Sequence, residues 1–349
     1  MSIPTTPRKT APRPTLSSVA KLTGVSPATA SLVLNGKAPD RGIPPETVER
    51  VLRGAEELNY IPNLLVRSLR RGHTNVVSFY SAFRHHEPGD LYTERLTARL
   101  MIAGGQSGMD VLIHCNFDRS TRETFEFLSG GFADGVIFFA PQQDDPLLNL
   151  LREGNLPVVL LNGRDSMSHF PAAYADNEAG MRMVADALLN AGHKRVAVFT
   201  VSGGYRDATQ RIELLRGFLG EAGVELREDR IQHLEYDRTR TVARLMSEPD
   251  PPTAIFCWHD RVAYWALDAC SELGIDVPGQ LSVVGYDGIH WPARTHHVAA
   301  SVVVSLDELA SSAMGLLKLY MKGYSGPLIE EAVPITFSSG STLAPPPFS

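Results

Sequence analysis

Polar side chains stand after short apolar runs at several points of the chain, where buried strands would end. They are Asn162, Arg211, His259, Asp260 and Asp287, of which Arg211 follows a loop with two adjacent glycines. Ligands of open parallel sheets bind beyond the carboxyl ends of the strands. A guanidinium and carboxylates provide fixed donors and acceptors there, so these residues could surround a polyhydroxylated small molecule. The alternative is that Arg211 and Asp287 form a structural ion pair across a cleft.

Aromatic residues could complete such a site. Tyr80, Tyr236 and Trp258 could form a stacking wall for a ring-shaped ligand. Side chains of this kind are more often part of a core, because they bury a large apolar area.

An enzyme is the alternative from a different class. The chain contains no G-x-S-x-G, G-x-G-x-x-G, P-loop or H-E-x-x-H motif. The histidine-rich segments 85–87 and 296–297 are predicted to be solvated loop residues, because neighbouring residues of a loop seldom bind one ion together. We therefore expect neither catalysis nor a bound metal or cofactor.

The apolar runs alternate with segments of helical periodicity from residue 75 onward. Seven runs are predicted as strands, at residues 76–80, 111–114, 135–140, 158–161, 196–201, 254–258 and 281–285. Repetition of strand and helix predicts parallel sheets with helices on both faces. The length of this part fits two lobes better than one.

Composition describes an ordinary globular protein of 349 residues, 43% apolar and 21% charged. Its longest apolar stretches fall far short of the roughly 18 residues that a membrane helix needs, so no membrane partner is expected. Residues 1–14 are rich in proline and threonine and lack the apolar stretch of a signal peptide, which predicts a disordered cytoplasmic tail. Cys115, Cys257 and Cys270 have no metal-binding spacing and are predicted to be core residues.

Charge is distributed unevenly along the chain. The net charge of −6 combines eleven Lys and Arg against five Asp and Glu in residues 1–73 with 22 against 34 in residues 74–349. A basic head on an acidic body favours a polyanion as the partner of the head.

The basic segment contains the pattern of three short helices. Apolar spacing from Leu16 predicts the first, which Gly24 ends, and Ser26 followed by Pro27 predicts the N-terminus of a second. A third is predicted after residues 44–46. In the second helix, Ala30, Val33 and Leu34 are predicted to face inward, whereas the outer face is small and uncharged: Ala28, Thr29, Ser31 and Leu32. This pattern favours a helix-turn-helix that approaches a DNA groove, with an unspecialised three-helix bundle as the alternative.

Specific motifs run from this segment into the next. They are Ser18-Val19-Ala20-Lys21, Gly24-Val25-Ser26, Ala28-Thr29, Val33-Leu34-Asn35-Gly36, Leu58-Asn59-Tyr60-Ile61-Pro62-Asn63 and Arg67-Ser68-Leu69-Arg70. In these motifs, and over nearly its whole length, the chain resembles the lactose/galactose-repressor (LacI/GalR) family of bacterial transcription regulators.

The resemblance implies an N-terminal all-α helix-turn-helix head and an α/β two-lobed core with parallel sheets, like that of periplasmic binding proteins. It places the head at residues 15–61, a hinge helix and linker at 62–73 and the core at 74–349. The N-lobe is expected at about 74–173 and 303–332, and the C-lobe at about 174–302 and 333–349.

The same resemblance implies two sets of binding residues. Contacts with operator double-stranded DNA are expected from Thr15, Leu16, Ser26, Pro27, Ala28, Thr29, Ser31, Leu32, Asn35, Asn63, Arg67 and Leu69. Leu69 matches a leucine that is inserted into the minor groove, where an apolar wedge can unstack a base step. Effector contacts are expected from Asn162, Arg211, Tyr236, His259, Asp260 and Asp287.

Several positions depart from the family pattern. Leu32 stands where many members have an arginine, and Ala30 where a β-branched residue is usual, so the operator of a relative cannot be assumed. In the core, the departures are His259 for an asparagine, Gly288 for an aspartate, Leu214 for a glycine and an apolar crossover at residues 302–304.

These observations predict a cytoplasmic, effector-responsive repressor that binds a palindromic operator as a homodimer. The small-molecule effector is expected to be a sugar or a related metabolite, which is the family default. A periplasmic sugar-binding protein would share the core but would need a signal peptide and would not need residues 15–72.

Overall fold

The computed structural model describes residues 14–62, 68, 71–82, 89–142, 144–164, 169–201, 206–234 and 237–347. The chain divides into two units, Met1–Thr74 and Asn75–Ser349, which we call the head and the core. Residues 1–13 of the predicted tail and most of the predicted hinge helix lie outside the described residues.

Three helices form the described part of the head. They are α1 (Leu16–Thr23), α2 (Pro27–Leu34) and α3 (Pro45–Glu57), with a 3-10 turn at Pro39–Arg41. The Thr15 hydroxyl accepts from the Ser18 N–H at the start of α1, and the Ser26 hydroxyl accepts from the Thr29 N–H at the start of α2. The predicted N-cap and the predicted proline of α2 are therefore confirmed.

A small apolar cluster holds these helices together. Ala30 and Val33 of α2 are buried against Val19 of α1 and Val51 of α3, and Leu34 is partly buried against the same cluster. The inward face of α2 is as predicted. Ser31 differs from its prediction, because only 7% of it is exposed and its carbonyl and hydroxyl oxygens accept hydrogen bonds from the Asn35 amide.

The core contains two six-stranded sheets. The first has the order β11-β5-β4-β3-β1-β2 and the second β12-β10-β9-β8-β6-β7. Their strands are β1 (Val76–Ser81), β2 (Asp110–Ile113), β3 (Gly135–Phe139), β4 (Val158–Leu161), β5 (Ala172–Ala175), β6 (Val196–Thr200), β7 (Ile231–His233), β8 (Ala254–Cys257), β9 (Ser282–Asp287), β10 (Ala300–Val304), β11 (Glu330–Val333) and β12 (Ile335–Ser338). All pairings are parallel except that of β12 with β10.

Eight helices accompany these strands in the described part of the core. They are α4 (Leu91–Gln106), α5 (Thr121–Ser129), α6 (Pro146–Arg152), α7 (Asn177–Ala191), α8 (Arg206–Glu221), α9 (Arg238–Met246), α10 (Asp260–Leu273) and α11 (Leu306–Met321). Helix α11 packs against α4 and the first sheet although it follows β10 of the second sheet. We call each sheet with its helices a lobe.

Alternate residues of a central strand enter different apolar clusters. Val196 and Val198 of β6 join the cluster that extends through both lobes, whereas Ala197 and Phe199 join the one beneath α10. Successive side chains of a strand point to opposite faces, so both faces of the sheet are covered. The predicted fold class, parallel sheets with helices on both faces, is confirmed.

The chain passes between the sheets three times. It leaves the first sheet after Ala175, leaves the second after Val304 and returns to the second between Val333 and Ile335. The expected lobe boundaries near 173 and 302 each fall two residues early, because backbone pairing continues to Ala175 and Val304.

The predictions for the cysteines and for the histidine-rich segments have different outcomes. Cys257 and Cys270 are buried as predicted, but Cys115 is exposed. Cys115 lies just beyond β2, an edge strand with a neighbour on one side only, so its side chain is not covered. His296 is exposed and His297 half-buried, with its Nδ1 3.2 Å from the Ser341 hydroxyl, while residues 85–87 are outside the described part. None of the described helices has the length and apolar character to span a membrane.

Candidate functional site

A cleft of about 180 Å³ lies between the two lobes of the core. The first lobe lines it with residues that follow β3 and β4, and the second lobe with the first turns of α7 and α8 and with Trp258 after β8. The polar and charged residues of this lining are Gln142, Asn162, Arg164, Asp176, Asn177, Glu178, Arg206, Asp207 and Gln210.

Sheet topology explains the position of the cleft. In each lobe the first five strands have the spatial order 2-1-3-4-5, so the strand order reverses between β1 and β3 and between β6 and β8. Loops diverge at such a switch point and leave a crevice beyond the carboxyl ends of the strands. Ala140 after β3 and Trp258 after β8 both line the cleft, as this rule requires.

Arg211 is fixed inside the second lobe beside the cleft. It is 3% exposed, its Nε donates to the Asn177 Oδ1 at 2.9 Å, and its Nη1 donates to the Trp258 carbonyl at 2.6 Å. The guanidinium lies 3.6 Å from the ring centroid of Tyr286. These contacts hold a buried cation in one orientation, which is what recognition of a polar ligand requires.

Asp287 lies next to Arg211. The closest carboxylate and guanidinium atoms are 4.0 Å apart, and both side chains are largely buried. Burial raises the pKa of Asp287 to about 7, Arg211 opposes this, and the negative charges of Asp207 and Asp90 add to it. The backbone of Asp287 has a φ of +107°, a region that L residues rarely adopt. The two residues are thus brought together as predicted, at a distance that fits either the site or the structural ion pair.

His259 and Asp260 begin helix α10. The Nδ1 of His259 accepts from the Val262 N–H at 3.2 Å, and its ring centroid lies 4.1 Å from that of Trp258. Burial lowers the pKa of His259 to about 3, so the ring is neutral and acts as a helix cap.

Asp260 supports the loop after β9 rather than the cleft surface. It is 1% exposed, its Oδ1 accepts from the Ser301 hydroxyl at 2.7 Å, and its Oδ2 accepts from the Ile289 N–H at 2.5 Å. Because Ile289 is two residues from Asp287, Asp260 positions Asp287. Burial also raises the pKa of Asp260 well above its usual range.

Two departures from the family pattern meet at this loop. Gly288 has a φ of +74°, and a Cβ added to it would lie 2.8 to 3.0 Å from atoms of Val303. The apolar crossover at residues 302–304 therefore leaves no room for a side chain at position 288. The sequence showed both changes but not that they touch.

Two of the predicted aromatic residues have different environments. Trp258 lines the cleft. Tyr80 is 6% exposed and packs against His114 and Phe138 on the other side of the first sheet. Its position in the strand points its side chain away from the cleft, so it is a core residue. Tyr236 lies outside the described residues. Asn162, with a φ of +55°, lines the cleft as predicted.

Several residues near the cleft were missed by the sequence reasoning. Tyr92 of α4 packs against the clusters of both lobes and stacks on Phe139 with centroids 6.2 Å apart. Burial and the charge of Asp287 raise the pKa of Tyr92 well above its usual range. Asn177 donates to Asp207 and Gln210 at 3.1 and 3.0 Å. Position after a strand or a glycine loop could have indicated Asn177 and Asp207, whereas nothing in the pattern marked Tyr92.

The head presents a second candidate surface, on α1 and α2. Thr15, Ser26, Pro27, Ala28 and Asn35 are exposed, while Leu16, Thr29 and Leu32 are half-buried. Helix α2 contains no charged residue. The predicted contact residues Asn63, Arg67 and Leu69 lie outside the described part of the chain.

Comparisons with known proteins match both units. Residues 15–63 match the model of bacterial regulatory proteins, lacI family, and residues 185–342 match that of a periplasmic binding protein-like domain. Catabolite control protein A of Priestia megaterium is 26% identical over 316 residues, which cover 88% of this chain and 92% of that protein.

Solved structures agree with these matches. A lac repressor dimer bound to operator and the anti-inducer ONPF superposes with a TM-score of 0.78 at 21% identity, covering 95% of this chain and 100% of that one; this likeness establishes the fold. A complex of the transcriptional regulator CelR with cellobiose superposes with a TM-score of 0.68 at 25% identity, with the same coverage of both chains. With a lacI-type head, a periplasmic-binding-protein-like core and relatives that span nearly its whole length, the chain has the domain organisation of the lacI family of bacterial regulatory proteins.

Proposed function

We propose that this protein is an effector-responsive transcriptional repressor that binds a palindromic operator as a homodimer in the bacterial cytoplasm. The observation that carries the proposal is that one chain has both a helix-turn-helix, whose second helix is uncharged, and a polar cleft between two lobes. A head of this size contacts one half-site, and a second copy doubles the contacts with a two-fold symmetric duplex. A regulator, rather than an enzyme, accounts for both surfaces.

The proposed division of labour follows the chain. Residues 15–61 read the operator, residues 62–73 form the hinge with Leu69 as the wedge, and the core binds the effector and the second copy. Closure of the cleft would move the first lobe, from which the hinge leaves, and so couple effector binding to operator binding.

The proposed effector is a sugar or a related polyhydroxylated metabolite. Support comes from the cleft, which Asn162 lines with an amide and Trp258 with an apolar wall. The buried Arg211–Asp287 pair lies behind this lining, where Arg211 donates to Asn177 and to the Trp258 carbonyl, and it offers a cation and a carboxylate next to the cleft. The CelR relative, which was solved with cellobiose, supports the same class. His259 and Asp260 contribute by shaping the cleft wall, and Tyr236 is proposed as a further contact.

DNA binding is tested by selection from a pool of randomised duplexes with the full-length protein, followed by a gel-shift titration. We expect a site with two-fold symmetry and retarded migration at one dimer per duplex. Selection of no sequence, together with no retardation, would contradict the proposal.

Effector binding is tested by thermal shift with a panel of mono- and disaccharides, followed by titration of the protein–duplex complex. The variant Asn162→Gly removes the amide from the cleft while keeping a residue that suits a φ of +55°. We expect it to weaken binding of the active sugar, whereas Asn116→Gly, at an exposed loop residue, leaves binding unchanged. A panel without any hit, or a hit that both variants bind equally, would refute the assignment of the cleft.

A further inference from the structure

The charges of the folded head are balanced and unevenly placed. Residues 14–62 contain five basic and five acidic residues, and four of the acidic ones, Glu46, Glu49, Glu56 and Glu57, lie on α3. The excess of positive charge in the first 73 residues therefore lies outside these helices. DNA affinity has a large contribution from neutralised phosphates, so the position of the few basic side chains of the head decides which surface can contact DNA.

Contacts within the head occupy the basic side chains of α3. The Nε of Arg50 donates to the Thr23 carbonyl at 3.0 Å, and Arg53 pairs with Glu49 at 2.6 Å. Helix α2, which the proposed function places in the groove, has no charged residue at all. Helix α2 therefore brings no basic group to a groove, and both basic side chains of α3 have a partner within the head, of which the Arg53–Glu49 pair is solvent-exposed.

The turn that follows α2, residues 36–42, has two available basic groups. Lys37 and Arg41 are exposed, and neither side chain forms a hydrogen bond or ion pair with another residue of the described part of the head. One acidic residue, Asp40, lies between them. Lys21 of α1 is exposed as well, but the turn is the basic segment that directly follows α2 in the chain.

Backbone contacts hold the turn in one conformation. Gly36 and Gly42 have φ values of +71° and +60°, and Pro39 restricts the backbone between them. The Lys37 N–H donates to the Leu32 carbonyl at 2.9 Å, and the Ile43 N–H donates to the Ala38 carbonyl at 3.1 Å. Ala38 is buried in the apolar cluster of the head. Lys37 and Arg41 thus project from an anchored turn and lose little backbone entropy on binding.

Helix length places this turn beside phosphates. An eight-residue helix is about 12 Å long, and the major groove is about 12 Å wide, so a helix across the groove has its ends at the two walls. The bond from Lys37 to Leu32 folds the turn back over the C-terminal end of α2. From this arrangement, and resting on the proposed function, we infer that the 36–42 turn clamps the operator backbone, with Lys37 and Arg41 each neutralising a phosphate.

Salt dependence tests the clamp directly. Binding constants of the full-length protein for its selected duplex and for an unrelated duplex are measured by fluorescence anisotropy between about 50 and 200 mM KCl. Lys37→Ala and Arg41→Ala should each reduce the slope of log K against log [KCl] by about 0.9 per phosphate contact, hence by about 1.8 for a dimer on two half-sites. The loss should be similar for both duplexes, because phosphate contacts carry no sequence information.

Two control variants separate the clamp from general effects of charge. Arg53→Ala removes one positive charge whose partner is Glu49, and it should keep the parent slope. Arg41→Lys keeps the charge on the turn and should retain the parent slope as well. Circular dichroism melts verify that each head is folded.

The outcomes distinguish the inference from the proposed function. Slopes of Lys37→Ala and Arg41→Ala equal to that of Arg53→Ala would overturn the clamp while leaving the repressor assignment intact. A loss confined to the selected duplex with an unchanged slope would make these residues base readers and would overturn the clamp too. A parent protein that binds neither duplex would remove the proposed function and the clamp together.

Discussion

Replacement of the buried carboxylate of Asp287 should change how the stability of the core depends on pH. The pKa of this group is raised by burial from 3.8 to about 7. Between these values the folded protein binds a proton that the unfolded chain has released. The contribution of Asp287 to the unfolding free energy is therefore highest at low pH. It declines as the pH rises from about 4 to 7 and is constant above pH 7.

The size of the effect follows from the same values. One pH unit over which only the folded state is protonated corresponds to about 1.4 kcal/mol. Between pH 5 and about pH 7, which is about two pH units, only the folded state holds the proton. From pH 5 to pH 8 the parent should therefore lose about 2 to 3 kcal/mol of unfolding free energy through Asp287. Asp287→Asn has no titrating group at this position. The difference in unfolding free energy between variant and parent should therefore shift in favour of the variant by this amount.

Urea unfolding at pH 5 and pH 8, followed by tryptophan fluorescence, measures this difference. All three tryptophans, Trp258, Trp265 and Trp291, belong to the core, so the signal reports on the unit that contains Asp287. Groups whose surroundings the substitution leaves unchanged cancel when variant and parent are compared at one pH. Asp260 does not, because the charge of Asp287 helps to raise its pKa, so the measured difference reports on Asp287 together with Asp260. Asp186→Asn, at an exposed position of α7, is the matched control and should show the same difference at both values. An Asp287→Asn difference that is equal at pH 5 and pH 8 would refute the raised pKa.

Four further predictions concern DNA reading, coupling and packing. Leu69→Ala should weaken operator binding by about 1 to 3 kcal/mol without changing the melting of the core or its ligand affinity; equal operator affinity in a gel shift would rule out a wedge. Leu32→Arg should change the preferred base at one symmetric pair of operator positions, because arginine can donate to guanine, and a selection that returns the parent site would contradict this. Arg211→Ala should abolish the effect of the sugar on operator binding, a coupling of about 1 to 3 kcal/mol, but not operator binding itself; a full response would reassign Arg211 to a structural pair. Gly288→Ala should lower the melting temperature of the core, because position 288 has a φ of +74° and the added Cβ would lie 2.8 to 3.0 Å from side-chain and backbone atoms of Val303; an unchanged melting temperature would contradict this close approach.

The fold was predicted well where strands are buried on both faces. The seven predicted strands are all present, with ends that differ by up to two residues. Five others were not predicted as strands, and most of these lack the β-branched run that marks a buried strand. Strand β5 is Ala-Ala-Tyr-Ala, β7 has three residues and β11 begins with two glutamates. Their pairing depends on neighbours from distant parts of the chain, which local preference does not encode.

The structure brings several of the predicted effector residues close together, and their roles in binding stay predictions. Strand ends indicated Arg211 and Asp287, and the structure brings them to 4.0 Å. Asp260 was expected to contact the effector, and its burial beneath the loop after β9 shows that adjacency in sequence to a site residue does not decide exposure. Tyr92 was missed because its importance comes from packing against both lobes, a tertiary property without a local signal. Ser31 was expected on the outer face of α2 but is buried, because the three-helix bundle covers more of α2 than the face that the apolar spacing marks.

The three passages of the chain between the sheets have a consequence for synthesis on the ribosome. The first sheet pairs β5 with β11, which is made about 155 residues later, and α11 covers the same sheet only after the second sheet has received β10. At a translation rate of about 5 to 20 residues per second, β5 has a free edge for on the order of ten seconds. The first lobe therefore emerges first and is completed only after most of the second lobe has been made. During that interval the nascent chain exposes an unpaired strand edge and an uncovered apolar sheet face, the surfaces that holding chaperones bind and that neighbouring nascent chains can join.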